Sequence, residues 1–247
     1  MSGPTSYPNP LLRGFAPGGS KVQQANWWYL FSRQWLQVLM PAAFKVRVFN
    51  RRVEPAEGGA VYICNHQSFL DPILMSFALC RPMNYMARDS LFRWPLFRLI
   101  IESANAFPVR RGTADLAALK EAMRRIKDGG QVVLFAEGTR TLDGRIGPFL
   151  PGVAMLAQRV AQWTVPVVID GAFECWPRTQ ALPSPGNIVV QYGRPMPQEQ
   201  VRKMAPEELM GQVRNEMIEI QAELRRRVGR EPLDYGKPFP TSGAGNG

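Results

Sequence analysis

Histidine occurs once in this 247-residue chain, at His66, so any chemistry that needs an imidazole runs through that single side chain. Cysteine is scarce too. Cys64, Cys80 and Cys175 are scattered, without the spacing of metal ligands, so neither a disulfide framework nor a zinc site is indicated and a reducing compartment is the default. The first twenty residues hold no apolar core behind a basic start, so they do not read as a secretory signal. No internal repeat is present. Acidic residues are the other deficit: 20 Asp and Glu stand against 30 Lys and Arg, a net charge of +10. Residues 1–112 hold 13 basic and 5 acidic side chains, and the remainder 17 and 15. The basic first half should therefore face something anionic, whether a phospholipid surface, a nucleic acid or a phosphorylated substrate.

What is present is the composition of a globular protein, 45% hydrophobic and 20% charged, in a length that suits one domain. Residues 1–25, rich in Pro and Gly, read as a flexible leader, 26–44 as an amphipathic helix, 45–235 as the domain, and 236–247 as a flexible tail. Within the domain, short apolar runs alternate with helical periodicity, which predicts an α/β fold with a mostly β-sheet core and flanking helices. Candidate strands are 44–49, 60–64, 84–87, 131–136, 165–169 and 187–192, with Pro166 marking an edge or a strand start. One helix should begin with Thr113 as N-cap, bury Leu116, Leu119, Met123 and Ile126, and stop at Gly129. Another should begin at Pro206, bury Leu209, Val213, Met217, Ile220 and Leu224, and end in a solvated cluster, Arg225 to Arg227.

The segment 26–44 bears on location. Trp27, Phe31, Trp35, Val38, Leu39 and Ala42 recur at three- and four-residue spacing, with Asn26, Arg33 and Gln37 opposite. Ser32, Arg33, Gln34 and Gln37 interrupt the run of about 20 apolar residues that a membrane span requires. Two readings remain: a helix packed on the core through that stripe, or an interfacial helix with Trp27, Trp28 and Tyr29 at headgroup level and Lys45, Arg47, Arg51 and Arg52 beyond it. The aromatic density and the flanking positive charges favour the second.

His66 opens a loop directly after the apolar run 60–64, and loops at strand ends are where scaffolds hold reactive groups. Five residues later, Asp71 precedes Pro72 and an apolar run, the pattern of an N-cap with Pro at the first helical position. A carboxylate fixed there can also accept the proton of one imidazole nitrogen and leave the other as a base for an incoming hydroxyl. No Ser or Cys sits in a nucleophile-elbow context, so direct attack by a substrate hydroxyl is simpler than an acyl-enzyme.

The run Asn65-His66-Gln67-Ser68-Phe69-Leu70-Asp71 resembles the NHxxxxD motif of the glycerolipid and lysophospholipid acyltransferases. Three further segments occur in that family's order: Phe107-Pro108-Val109-Arg110-Arg111-Gly112, then Phe135-Ala136-Glu137-Gly138-Thr139-Arg140, close to FPEGTR, then Val165-Pro166-Val167-Val168-Ile169. The resemblance implies the glycerolipid acyltransferase fold. It implies His66 and Asp71 as catalytic residues and Arg110, Glu137, Gly138, Thr139 and Arg140 as substrate contacts. Where the family often has Phe-Lys-x-Gly, this chain reads Phe149-Leu150-Pro151-Gly152, which leaves the acceptor headgroup open.

The function so implied is transfer of a fatty acyl group from acyl-CoA or acyl carrier protein to a hydroxyl of a lysophospholipid, with 1-acyl-sn-glycerol 3-phosphate as first choice of acceptor. It needs no cofactor and no metal. The expected place is the cytoplasmic face of a membrane, as a peripheral protein with a phospholipid surface as partner and no nucleic acid. Another lysolipid acceptor, or a membrane-bound lipase or thioesterase using the same His and Asp with water, stays open.

Overall fold

In the structure, a computed structural model, residues 27–110 and 115–236 are described. The expectations for 1–25, Asn26, Arg111, Thr113 and the tail beyond Gly236 lie outside them.

Ala60–Cys64 (β2) is buried at every position, as expected of a strand covered on both faces. It pairs in parallel with Gln131–Phe135 (β5) on one side and Trp163–Asp170 (β6) on the other. Met83–Arg88 (β3) and Ala106–Val109 (β4) extend the parallel set beyond β5. Past β6 the direction reverses. Val189–Tyr192 (β7) runs antiparallel to β6, Arg47–Phe49 (β1) parallel to β7, and Met196–Pro197 (β8) antiparallel to the start of β6. The sheet order is β1-β7-β6-β2-β5-β3-β4, with β8 beside β6.

Side chains alternate across this sheet and so serve two helical layers. Val61, Ile63, Val132, Leu134 and Val168 pack with Leu116–Lys127 (α4), Gly152–Arg159 (α5) and Pro206–Arg227 (α8). Tyr62, Cys64, Val133 and Val165 pack on the other side with Trp27–Phe44 (α1), Asp71–Ala78 (α2) and, through Phe92 and Ile101, the turn 89–93 and Pro95–Ser103 (α3). Ala172–Cys175 (α6) and Gln198–Val201 (α7) are short links. Ile63 lies three residues before His66 with no exposed surface, so Ile63→Ala should cost about 2–5 kcal/mol.

Some expectations need correction. Pro166 belongs to an interior strand; its carbonyl points toward Gly193, at the break between β7 and β8, so its missing N–H leaves no ladder bond unmade. The cap of α4 is Asp115, whose carboxylate accepts from the N–H groups of Ala117 and Ala118. Leu116 is exposed, because Ala118, Ala122 and Ile126 form the buried face of α4. Arg225 is not solvated: it donates to Asp170, Glu174 and the carbonyl of Glu231. The five buried apolar positions predicted for α8 are all buried.

The segment predicted as an amphipathic helix is α1, with its apolar stripe turned outward. Phe31, Trp35, Val38 and Leu39 are exposed, whereas Leu36, Met40 and Phe44 turn inward. Arg33 also turns inward, donating to the carbonyls of Leu79 and Cys80, both at 2.9 Å. The apolar stripe is therefore not in the core. Among the described residues no helix is long and apolar enough to cross a membrane.

Candidate active site

The five parallel strands end on one edge of the sheet, the edge at which open α/β folds gather their loops. There the chain leaves β2 through Asn65, whose Nδ2 donates to the Ile169 carbonyl and whose Oδ1 accepts from the Ile169 N–H, both at 2.8 Å. A side chain thus pairs with β6 as a backbone would. This fixes the direction in which the next residue, His66, departs.

His66 is held on every side. Its backbone N–H donates to Glu137 Oε1 at 3.0 Å and its carbonyl accepts from the Thr141 N–H at 2.8 Å. The ring stacks on Phe135, the last residue of β5, with centroids 4.1 Å apart and planes 19° from parallel. Nδ1 lies 2.7 Å from Asp71 Oδ2. That oxygen also accepts from the N–H groups of Gln67 (2.6 Å) and Ser68 (2.8 Å). An acceptor carboxylate on Nδ1 places the proton there and leaves Nε2 as the basic nitrogen. The cap expectation for Asp71 is corrected by the same contacts. Asp71 is already the first residue of α2, and its carboxylate turns back to the loop between it and His66.

Glu137 follows β5 and bridges two loops: Oε1 takes the His66 N–H, and Oε2 the Gly147 N–H at 3.0 Å. Burial pushes its carboxyl up to about 7, Asp71 adding to the rise; the two N–H groups and Arg214 oppose it without offsetting the desolvation. Gly138 turns the chain at φ +68°, where a Cβ would also meet Leu150 Cδ1 at 2.6 Å, so glycine is required there and Leu150 stands against the turn. Thr139 is exposed. Arg140 lays its guanidinium 3.5 Å over the ring of Phe69, which itself leans on Trp176, and so stands beside the His66–Asp71 loop. Glu137, Thr139, Arg140, Arg145, Arg214 and Tyr235 line an open cleft of about 670 Å³.

Arg110 is placed differently. It follows β4, the outermost strand on this side, three strands from β2 and so about 14 Å away at ordinary strand spacing. Its backbone N–H donates to Asp115 Oδ2 at 2.8 Å, its Nε is 4.0 Å from the same carboxylate, and its side chain is exposed. It shares the edge with His66 but makes none of the contacts described above.

Several supporting residues gave no signal in the sequence. Gln67 donates to the Gly144 carbonyl at 3.0 Å and accepts from the Phe173 N–H at 3.2 Å, and Gln221 donates to that same carbonyl at 3.0 Å. Tyr235 accepts from the Ile146 N–H at 2.7 Å and bonds to Gln221. The alternative nucleophiles are engaged or inert. Ser68 Oγ donates to the Trp176 carbonyl and accepts from Leu70 N–H. Cys64 is fully buried, which pushes its thiol well above the usual range.

Residues 45–170 match the model of the acyltransferase family, and the chain belongs to that family. Similar proteins include a chloroplastic 1-acyl-sn-glycerol-3-phosphate acyltransferase of Arabidopsis thaliana, 26% identical over 68% of this chain and 48% of the relative. A 1-acyl-sn-glycerol-3-phosphate acyltransferase of Cocos nucifera is 30% identical over 56% and 46%, and one of Bacillus subtilis 28% over 58% and 71%. The chain thus spans about half the length of these plant relatives. The fold is that of the crystal structure of the 1-acyl-sn-glycerophosphate acyltransferase PlsC from Thermotoga maritima, at a TM-score of 0.63 and 23% identity over 78% of this chain and 81% of that one.

Proposed function

We propose that this protein transfers a fatty acyl group from a thioester of coenzyme A or acyl carrier protein to the free hydroxyl of a lysophospholipid, with 1-acyl-sn-glycerol 3-phosphate as acceptor and phosphatidate as product. The observation that carries the reading is the 2.7 Å contact of His66 Nδ1 with Asp71 Oδ2 at the C-terminal edge of the sheet. In this mechanism Nε2 takes the proton of the acceptor hydroxyl as its oxygen attacks the thioester carbonyl. The C–S bond of the tetrahedral intermediate then breaks, and the proton on Nε2 passes to the leaving thiolate. Asp71 orients the ring and stabilises its protonated form; a general base of this kind is worth about 10² to 10⁴ in rate. The engagement of Ser68 and the burial of Cys64 favour direct attack over an acyl-enzyme. No further cofactor is called for.

Arg140 and Thr139, which line the cleft, and Gly138 at the turn before them are the proposed acceptor contacts, Arg140 gripping phosphate, with Arg110 reaching in from the rim of the same edge. Glu137 is a positioning residue, since its two oxygens hold backbone N–H groups. The exposed stripe of α1 and the basic residues after it support a peripheral seat on a phospholipid surface.

The test is a lipid-product assay: acyl-CoA and acyl-carrier-protein donors are offered with a panel of lysolipids. Diacyl product, fastest with lysophosphatidate, is expected. Release of free fatty acid irrespective of added lysolipid would mark a thioesterase and end this reading. Leu150, which stands against the Gly138 turn, occupies the position where the family resemblance would put lysine. If lysophosphatidate is a slow acceptor and Leu150→Lys speeds it, the natural acceptor is less anionic.

A further inference from the structure

The two helical layers differ in what they present outward. On the layer of α4, α5 and α8 the outer positions carry charge, much of it in intrahelical ion pairs such as Arg124 with Glu121 and Arg227 with Glu223. On the layer of α1, α2 and α3 the exposed positions of α1 and α3 are chiefly apolar, beside one ion pair on α3, Arg98 with Glu102. Helix α3 is the extreme case. Of its nine residues only Ile101 and Ser103 are even half-buried. Leu96 (74% exposed), Leu99 (66%) and Ile100 (52%) form an i, i+3, i+4 stripe facing away from the protein, and Trp94, 73% exposed, stands at its start.

Helices this short are marginal in water unless an apolar face is packed against something, and contiguous apolar patches are rare on a soluble surface without a partner. The stripe of α1, formed by Phe31, Trp35, Val38 and Leu39, belongs to the same layer and faces outward in the same way. The charge beside it has one sign. From Trp27 to Val53 there is no acidic residue, and Lys45, Arg47, Arg51 and Arg52 are exposed where α1 gives way to β1. Arg47 is level with Val189, which pairs with Asp170, the last residue of β6, so this basic group lies toward the edge that holds His66.

We infer that α3, with the turn before it, is a second membrane-seated element: it inserts its Leu96–Leu99–Ile100 stripe and Trp94 among the acyl chains of an anionic bilayer, alongside α1. The choice of a bilayer as occupant rests on the lysolipid reading above and on the basic group bordering the layer. Two apolar helices in one layer define a plane that a lone N-terminal helix cannot. The protein is then held with this layer down, and the loop leading from His66 into α2 opens toward the lipid. An acceptor would reach the base without leaving the bilayer surface.

The test uses the full-length protein and vesicles of phosphatidylcholine with phosphatidylglycerol, free of lysolipid and thioester. Leu96→Glu with Leu99→Glu should weaken vesicle flotation tenfold or more with unchanged circular dichroism. Leu116→Glu, an exposed leucine of the opposite layer, should leave flotation unchanged. In the wild type, hydrogen exchange at 94–103 should slow when vesicles are added and that of α4 should not. Unchanged exchange across 94–103 in vesicle-bound protein overturns the inference, whatever the variants do. So does a concentration-dependent dimer abolished by the double substitution with flotation intact, which would make a second copy of this chain the occupant. Because no transfer is measured, vesicle binding through α3 can stand even if the acyl-transfer reading fails, and the reverse.

Discussion

The centre and the rim of the proposed catalytic edge are built differently. At the centre, between β2 and β5, the groups that matter are fixed through the backbone: Glu137 holds the N–H of His66 and of Gly147, and Asp71 those of Gln67 and Ser68. At the rim, beyond β4, Arg110 projects an exposed side chain from an outermost strand, with Asp115 the partner of its backbone N–H. Proton transfer needs atoms placed within a fraction of an ångström, and backbone bonds supply that. Recognition of a phosphate tolerates a mobile guanidinium, and an edge strand suffices.

If that contrast is right, substitutions should lose effect from centre to rim. His66→Ala should lower kcat by about 10³-fold, within the range of general-base contributions, with unchanged circular dichroism. A folded variant with most of its activity would remove the base from the mechanism. Asp71→Asn should lower kcat by roughly 10²-fold and, unlike the replacement of a simple cap, also cost about 1–2 kcal/mol in urea unfolding, because two backbone N–H groups lose a charged acceptor.

Glu137→Gln keeps an acceptor for only one of its two N–H partners and should slow turnover about tenfold with little change in either KM. Its pH signature is separate. The carboxyl of an unfolded chain titrates near 4.5 and this one at about 7, so between those values the folded form holds more proton. Wild-type stability should then fall as pH rises from 4.5 to 7, by at most about 3 kcal/mol from this group, and level off above. The Gln variant should lack that slope; an equal slope in both proteins would assign it to another group.

Between centre and rim, Arg140→Ala should reduce kcat/KM for a phosphate-bearing acceptor tenfold or more, about 1.4 kcal/mol, and spare the donor KM. Arg110→Ala should cost roughly threefold. The reverse order would move the phosphate toward β4.

The sequence was most legible where one residue type has one structural use. The all-apolar run of β2 and the spacing of α8 each had a single reading, and the structure agrees. His66 and Asp71 were legible as a pair because the four residues between them can form a loop that brings them together. The cap role of Asp71 misled because the same Asp-Pro pattern serves a carboxylate that turns forward or back, and Gln67 and Ser68 decide which. Strand β4 escaped notice because a four-residue edge strand containing Pro108 has almost no pattern of its own. Helix α3 escaped for the opposite reason: its leucines look like core, and only the fold shows that they are exposed among the described residues.

The bond from Tyr235 to Gln221, and from Gln221 to the Gly144 carbonyl, has a meaning in time as well as in space. His66, Asp71 and the loop they steady are made well before the residues that clasp the facing loop, Arg214, Gln221 and Tyr235. A nascent chain can therefore form its sheet and still lack a finished cleft. A lysolipid that meets the ribosome-bound chain finds a histidine but no shaped place to lie. We expect transfer activity to appear abruptly, once synthesis has passed Tyr235 and that residue has cleared the ribosome, rather than to grow with chain length.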